Sequence, residues 1–393
     1  HFGTNPWIFC YVDRSRVLRS AMRAPPSERL ASLPAVTVRP MLLTGTRAFG
    51  AVLEAAPEMP PPSRADLLRA DVGEELRELW LDRGVLAVRG LVDLTPEDLA
   101  SISEHFGPLV KELATGRDHT RLPGVPVMRL GNTKGPDGRP NCIAAGDSWD
   151  SLAGGSPQYR PEDQRPLWHT DATFRAEPPA GSALFCRQAP PEGGATCFAD
   201  MRAAFQALPA EEQRELEGME CICSLSHHDW KLWRRHGDAL APRPTAALRA
   251  ANPARRVPLV MRHPVTGGKA LYGMNLSTCC IVPRGEAVDE ERLARLESSP
   301  EEDASMAVWR ELLPRVTGPD LALVWHWRAG DLVVWDNRST MHAATGFDHE
   351  RYVREMWRTT MQAGEAASEA PGASKRPRRD RHPPHSPPVS APP

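Results

Sequence analysis

The sequence predicts a mainly β domain with flanking helices, on three observations: the C-terminal half has several short apolar runs separated by turn residues, the helical periodicities are short and lie between those runs, and 393 residues can bury a large core. Strands so short and so punctuated favour a double-sheet barrel over a doubly wound parallel sheet. No internal repeat of fixed period is present. The chain divides into an ill-defined N-terminal extension over 1–63, one domain over 64–363 and a disordered Pro/Arg-rich tail over 364–393.

Taken in order, residues 1–47 carry seven arginines and few acids, beginning at His1 rather than Met, which fits a fragment or processed product and leaves an organelle leader open. The apolar residues Leu68, Val72, Leu76, Leu79 and Trp80 recur at helical spacing over 65–81, and Gly84 breaks the pattern before the strand Val85–Arg89. Thr95-Pro96-Glu97-Asp98 starts a second helix with a hydroxyl cap, a proline in the first turn and acids beside the positive end of the dipole. Residues 114–166 are rich in Gly, Pro, Asp and Asn and read as a long substrate-covering segment. Strands follow at 183–187 and 195–198, with Asp200 capping a helix to Leu208 and a charged helix from Pro209 to Glu217. The polar stretch 224–256, with His227, His228, Trp230 and Trp233, reads as a second loop over the site. Leu259–Arg262 and Ala270–Tyr272 flank a turn, 289–313 is helical with a break at 298–300, and strands at 321–327, 332–335 and 354–361 complete the domain.

A net charge of −2 gives no electrostatic reason to expect nucleic acid or a membrane as partner. The tail from Pro371 is +4, leaving −6 for the rest, and its eight prolines cannot support a packed core. Its basic cluster, Lys375 to Arg381, would suit a nuclear address or a polyanion. Eight scattered cysteines read as reduced thiols, since neither Cys221-Ile222-Cys223 nor Cys279-Cys280 has zinc-site spacing. No run reaches the ~18 apolar residues of a membrane span. A soluble, cytoplasmic protein is expected, with an organelle or the nucleus as alternatives, and the sequence is compatible with a homo-oligomer.

The chemistry centres on Leu167-Trp168-His169-Thr170-Asp171. If this is a strand, its period of two puts His169 and Asp171 on one face, where an imidazole and a carboxylate can converge on a cation. A second histidine, with His342 the candidate, would complete two histidines and one carboxylate with open positions opposite, as in non-haem iron(II) oxygenases. Thr196 lies 27 residues after His169, just past Gly193-Gly194, and can donate to a carboxylate. Arg354 and Arg358 follow His342 by 12 and 16 residues on a strand that puts both on one face, where buried guanidinium groups require anions. A dicarboxylate would supply them, held by arginine's fork.

The set Trp168-His169-Thr170-Asp171 with Phe174, Gly193-Gly194-Ala195-Thr196, Arg262-His263-Pro264-Val265-Thr266-Gly267, Trp335-Asp336-Asn337-Arg338 with His342, and Arg354 to Thr360 resembles the taurine dioxygenase family, which includes chlorophenoxyacetate dioxygenases, over roughly residues 64–363. The resemblance implies a jelly-roll (double-stranded β-helix) core. It implies iron(II) on His169, Asp171 and His342, the distal carboxylate of 2-oxoglutarate on Thr196 and Arg354, and Arg358 beside cosubstrate and substrate. Dioxygen would be consumed and succinate and carbon dioxide released as a small organic substrate is hydroxylated. Taurine-specific members follow Phe-Gly with a histidine and a tyrosine that grip the sulfonate, whereas Phe106-Gly107 here leads to Pro108-Leu109-Val110-Lys111. Taurine is therefore not the expected substrate, and Lys111 and Arg358 point to some other anionic group. A non-catalytic jelly-roll binding protein and a hydroxylase of protein substrates are the competing readings.

Overall fold

The computed structural model describes residues 28–44, 47–56, 58–111, 121–133, 168–236, 243–299, 303–348 and 351–363. It opens with strands β1 (Glu28–Arg29), β2 (Val36–Thr44) and β3 (Arg47–Ala55), the last two a long antiparallel pair. Residues 28–55 are thus not the ill-defined extension that the sequence suggested. Pro40 and the alanines and glycine of β3 hid the strand signal, because these residues are poor strand formers. Burial of Val36 and Val38 on β2 and of the continuous run Ala48–Leu53 on β3 is what anchors the pair.

Helix α1 (Arg64–Leu67) starts with a capping box from Ser63 to Asp66, and α2 (Ala70–Arg83) buries Val72, Leu76, Leu79 and Trp80. Gly84, at φ +76°, ends α2 in a conformation that only glycine adopts without strain, and β4 (Val85–Val88) follows. Thr95 caps α3 (Pro96–Glu104) through a second capping box with Asp98. Within the expected covering segment, 121–133 is more regular than foreseen: it contains β5 (Met128–Gly131), while 114–120 and 134–166 lie outside the described residues.

The remaining strands are β6 (Gly181–Gln188), β7 (Thr196–Asp200), β8 (Met219–Cys223), β9 (Arg255–Pro258), β10 (Val260–Arg262), β11 (Lys269–Leu271), β12 (Thr278–Pro283), β13 (Ala322–Trp325), β14 (Leu332–Asp336), β15 (Thr340–Ala344) and β16 (Glu355–Met361). Between them lie α4 (Met201–Ala207), capped by Asp200, α5 (Ala210–Glu217), α6 (Leu225–His236), α7 (Ala246–Ala251), α8 (Glu290–Glu297) and α9 (Ala307–Val316). The expectation of a loop over 224–256 is corrected by α6 and α7. The polar composition of 225–236 had obscured an amphipathic helix whose Leu225, His227 and Trp230 are buried.

An eight-stranded sheet runs in the order β1-β2-β3-β4-β14-β6-β16-β5, antiparallel except for β3 beside β4. Three-stranded sheets β13-β7-β15 and β12-β8-β9 and the hairpin β10–β11 make up the rest. Antiparallel pairing of this extent excludes a doubly wound parallel sheet. On one face of the large sheet, Trp80, Leu99, Ile102, Phe106 and Trp357 form a core with α2 and α3. On the other, Phe49, Leu184, Trp335 and Met356 meet Phe198, Trp325 and Trp327 of the β13-β7-β15 region. Side chains of this kind contribute about 1.5–3 kcal/mol each when fully buried. The site sits at one end of that second core.

Candidate metal centre

One rung of backbone pairing brings the two histidines together. The His169 N–H donates to the His342 carbonyl at 2.9 Å and the His342 N–H returns the bond at 2.9 Å. His342 is the third residue of β15, paired to Phe198 of β7, so the central strand of a sheet fixes its direction. Their rings lie 4.2 Å apart, and the Trp335 ring packs 4.8 Å from that of His342.

Asp171 arrives differently from the sequence expectation. His169 belongs to an isolated bridge, not a continuous strand, and residues 171–174 form a turn with Ala172 at φ +46°. A non-glycine residue in that region is strained, and such strain persists where the surroundings fix it. Here the Thr170 N–H bonds to the Met274 carbonyl at 2.9 Å, and Asn275 Nδ2 donates to the Thr170 carbonyl at 3.0 Å and to Thr173 Oγ1 at 2.7 Å. The turn therefore achieves what strand periodicity was expected to achieve. Asp171 Oδ1 lies 3.7 Å from His169 Nε2 and 3.6 Å from His342 Nε2.

The two carboxylate oxygens of Asp171 have separate duties. Oδ2 accepts from Arg358 Nη2 at 2.5 Å and from Ser182 Oγ at 3.2 Å, and Arg358 Nη2 also donates to Ser182 Oγ at 2.9 Å. Among the described residues Oδ1 accepts no hydrogen bond and faces only the two imidazoles. Burial pushes the Asp171 carboxyl up, but Arg358 foremost, then His342 and His169, outweigh it and hold the group well below the usual carboxylate range. Two imidazole nitrogens and an ionised oxygen, with one ligand atom from each residue within 4.8 Å of the others, form a donor set that fits a divalent transition metal. Among the described residues no other group of three or more His, Cys, Asp or Glu side chains is so arranged.

The residues expected to hold an anion lie on β7 and on the segment entering β16. Thr196 opens β7 and is buried, as is Arg354, whose Nε donates to the Gly194 carbonyl at 3.1 Å. Gly194 is at φ +62°, and a Cβ there would meet Pro190 Cγ at 2.8 Å and Arg354 Cδ at 3.3 Å. The arginine therefore packs directly on the glycine. Arg358 lies on β16 opposite Leu184 of β6, with Ser182 one diagonal away, which explains its reach to Asp171. It is engaged by the metal-ligand candidate. Lys111, the other cation linked to an anionic substrate, is exposed.

Three partners had no role assigned from the sequence. Ser182 is the lone hydroxyl of β6, next to the buried apolar run Ala183–Cys186, which was the available signal. Trp327 Nε1 donates to Thr196 Oγ1 at 2.9 Å. His263, given no role, has its Nε2 2.9 Å from Asp336 Oδ2, and Arg338 grips the same carboxylate through Nε at 2.8 Å and Nη2 at 2.7 Å. That cluster secures the turn between β14 and β15, where the Arg338 N–H donates to Asp336 Oδ1 and Thr340 Oγ1 to the Asp336 carbonyl. The six described cysteines are free and buried, in keeping with reduced thiols, and none joins the centre. No helix among the described residues is long and apolar enough to cross a membrane.

Residues 42–360 match the family model described as taurine catabolism dioxygenase TauD, TfdA family. The chain is 28% identical over 281 residues to the alpha-ketoglutarate-dependent 2,4-dichlorophenoxyacetate dioxygenase of Cupriavidus pinatubonensis, covering 70% of this chain and 83% of that protein. It is 31% identical over 289 residues to the (S)-phenoxypropionate/alpha-ketoglutarate-dioxygenase of Delftia acidovorans, covering 73% and 85%. In fold it resembles the crystal structure of AAD-2 in complex with Mn(II) and N-oxalylglycine, with a TM-score of 0.56 and 23% identity over 83% of this chain and 97% of that one. A taurine dioxygenase from Burkholderia xenovorans gives the same TM-score of 0.56 at 23% identity, over 84% and 90%.

Proposed function

The chain belongs to the taurine catabolism dioxygenase TauD, TfdA family, and from this premise we propose that it is an iron(II)- and 2-oxoglutarate-dependent dioxygenase that hydroxylates a small organic substrate, using His169, Asp171 and His342 as iron ligands. The observation that carries the ligand assignment is the convergence of His169 Nε2, His342 Nε2 and Asp171 Oδ1 in a buried cluster whose remaining carboxylate oxygen is already occupied by Arg358 and Ser182. The β sheets on either side of the second core are then the walls of a jelly roll. Bound iron(II) would supply the coupling of dioxygen reduction to oxidative decarboxylation of 2-oxoglutarate, with succinate and carbon dioxide released.

The chain's own residues contribute position and exclusion of water. Asp171 offers one oxygen, because Arg358 and Ser182 hold the other. The β7–β15 ladder and the reciprocal bridge to His169 hold His342 in register. Thr196 and Arg354 would hold the distal carboxylate of 2-oxoglutarate, since a guanidinium fork and a hydroxyl donor are well matched to a carboxylate and both residues are buried. Arg358 stands at the border of this slot, with its first commitment to Asp171. Phe198, Trp335 and Met356 line the apolar wall behind the histidines and keep the region dry. The substrate is a small organic molecule. An anionic one, such as the aryloxyalkanoates named for the relatives above, is the class to test first, and a cytoplasmic setting suits the buried free thiols.

The test is anaerobic addition of iron(II) and 2-oxoglutarate to metal-free protein. A weak visible charge-transfer band is expected, absent in His169→Ala. Succinate release is then followed across a panel of aryloxy acids, sulfonates, sulfate esters and betaines. A protein that develops no band and forms no succinate with any of them is not an oxygenase.

A further inference from the structure

Thr196 and Trp327 form a buried hydrogen bond whose direction is fixed by chemistry. An indole N–H can only donate, whereas a hydroxyl can donate once and accept twice. At 2.9 Å, with Trp327 Nε1 as donor, Thr196 Oγ1 is the acceptor. Its own hydrogen must therefore point elsewhere. Among the described residues it meets no acceptor, although the side chain is 4% exposed. Burying a hydroxyl hydrogen without a partner is unfavourable, and nothing apolar around it compensates. Directed away from the indole, that hydrogen suits the oxygen of a carboxylate ligand.

The rotor is held from both sides. Thr196 pairs with Trp325 of β13 and with Ala344 of β15, so its backbone is sheet-bound. Trp327 follows β13 by two residues, is 7% exposed, and packs edge-on against Trp325 with ring centroids 6.4 Å apart. Neither partner of the hydrogen bond can readily turn away. We propose that Trp327 is a positioning residue for cosubstrate recognition: by occupying a lone pair of Thr196, it commits the hydroxyl to donation and so tunes the slot for the carboxylate of a keto diacid. This rests on the assignment of Thr196 and Arg354 as the 2-oxoglutarate slot, and it deepens that assignment by naming what orients its neutral donor.

The probe is 2-oxoglutarate binding to protein loaded with Mn(II), measured by calorimetry without oxygen. Trp327→Phe keeps an aromatic ring and removes the N–H. It should weaken 2-oxoglutarate binding about fivefold to twentyfold while leaving Mn(II) affinity unchanged, as expected for loss of one hydrogen-bond constraint on a charged ligand. Thr196→Val, close to isosteric, should weaken it at least as much. In a Thr196→Val background, Trp327→Phe should then add less than twofold, because its effect passes through the hydroxyl. An unchanged affinity in Trp327→Phe, or an equal loss in both backgrounds, overturns the proposal. Wild-type protein that binds Mn(II) but not 2-oxoglutarate overturns the slot assignment itself, a result distinct from either.

Discussion

His263 Nε2 lies 2.9 Å from Asp336 Oδ2, with both side chains 1% exposed. The backbone N–H groups of Val265 and Thr266 donate to His263 Nδ1 at 3.2 and 3.1 Å, so the ring proton sits on Nε2 and is donated to Asp336. The hairpin β10–β11 is thereby fastened to the turn that delivers His342.

Replacing His263 with phenylalanine leaves two backbone donors and part of a buried carboxylate without partners. A loss of about 2–4 kcal/mol in urea denaturation is expected. Because the turn precedes β15, Mn(II) affinity should fall as well. Wild-type metal affinity in a destabilised His263→Phe protein would confine the residue to stability.

Asp336 also predicts an acid response. Burial pushes its carboxyl up, but the charge of Arg338 and the hydrogen bonds from His263 and Arg338 bring it down to about 2 from 3.8. The unfolded chain takes up this proton at a higher pH than the folded one. The contribution, about 2 kcal/mol, is therefore complete above about pH 5 and is lost as pH falls through 3.8 towards 2. The stability gap between wild type and Asp336→Asn should narrow by about that amount over this range, read from denaturation curves at successive pH values.

Ser182→Ala removes one of two donors to Asp171 Oδ2 without touching the metal-facing oxygen. Partners that orient metal ligands commonly contribute about 10- to 100-fold in affinity. Mn(II) titration should show a loss near the lower end of that range, since Arg358 remains. Cysteine at 182 should recover less than threonine.

Gly194→Ala should impair the cosubstrate selectively. The added methyl meets Pro190 Cγ at 2.8 Å and Arg354 Cδ at 3.3 Å, on a backbone at φ +62°. Strain of about 1–3 kcal/mol would be shared between Pro190 and Arg354, whose side chain must give by a few tenths of an ångström. The KM for 2-oxoglutarate should rise about tenfold, with metal binding retained.

The sequence revealed the site residues better than the path that assembles them. His169, Asp171 and His342, which the structure brings together, could be picked out as candidates because metal-ligand types are chemically restricted, and Thr196 and Arg354 because a hydroxyl and a guanidinium fork suit a carboxylate. What could not be read was how Asp171 reaches the cluster, since a single bridge followed by a turn with Ala172 at φ +46° leaves no periodic trace. β2 and β3 were missed because Pro40 and small residues weaken a strand signal that pairing across the hairpin restores. Residues 225–236 seemed a loop because three histidines and two tryptophans outweighed the spacing of its buried positions. Ser182, His263 and Trp327 escaped for a common reason: each makes a hydrogen bond to a residue at least 11 positions away that no local pattern announces.

The reciprocal amide bonds between His169 and His342 make the separation of the two imidazoles a property of main-chain hydrogen bonding. Side-chain exchanges in surrounding loops can reshape what enters the cavity while this spacing persists. Only a slip in registry between these segments, or a proline at either histidine's neighbouring amide, would reset it. A scaffold arranged in this way can change its choice of substrate without having to reinvent its grip on the cation.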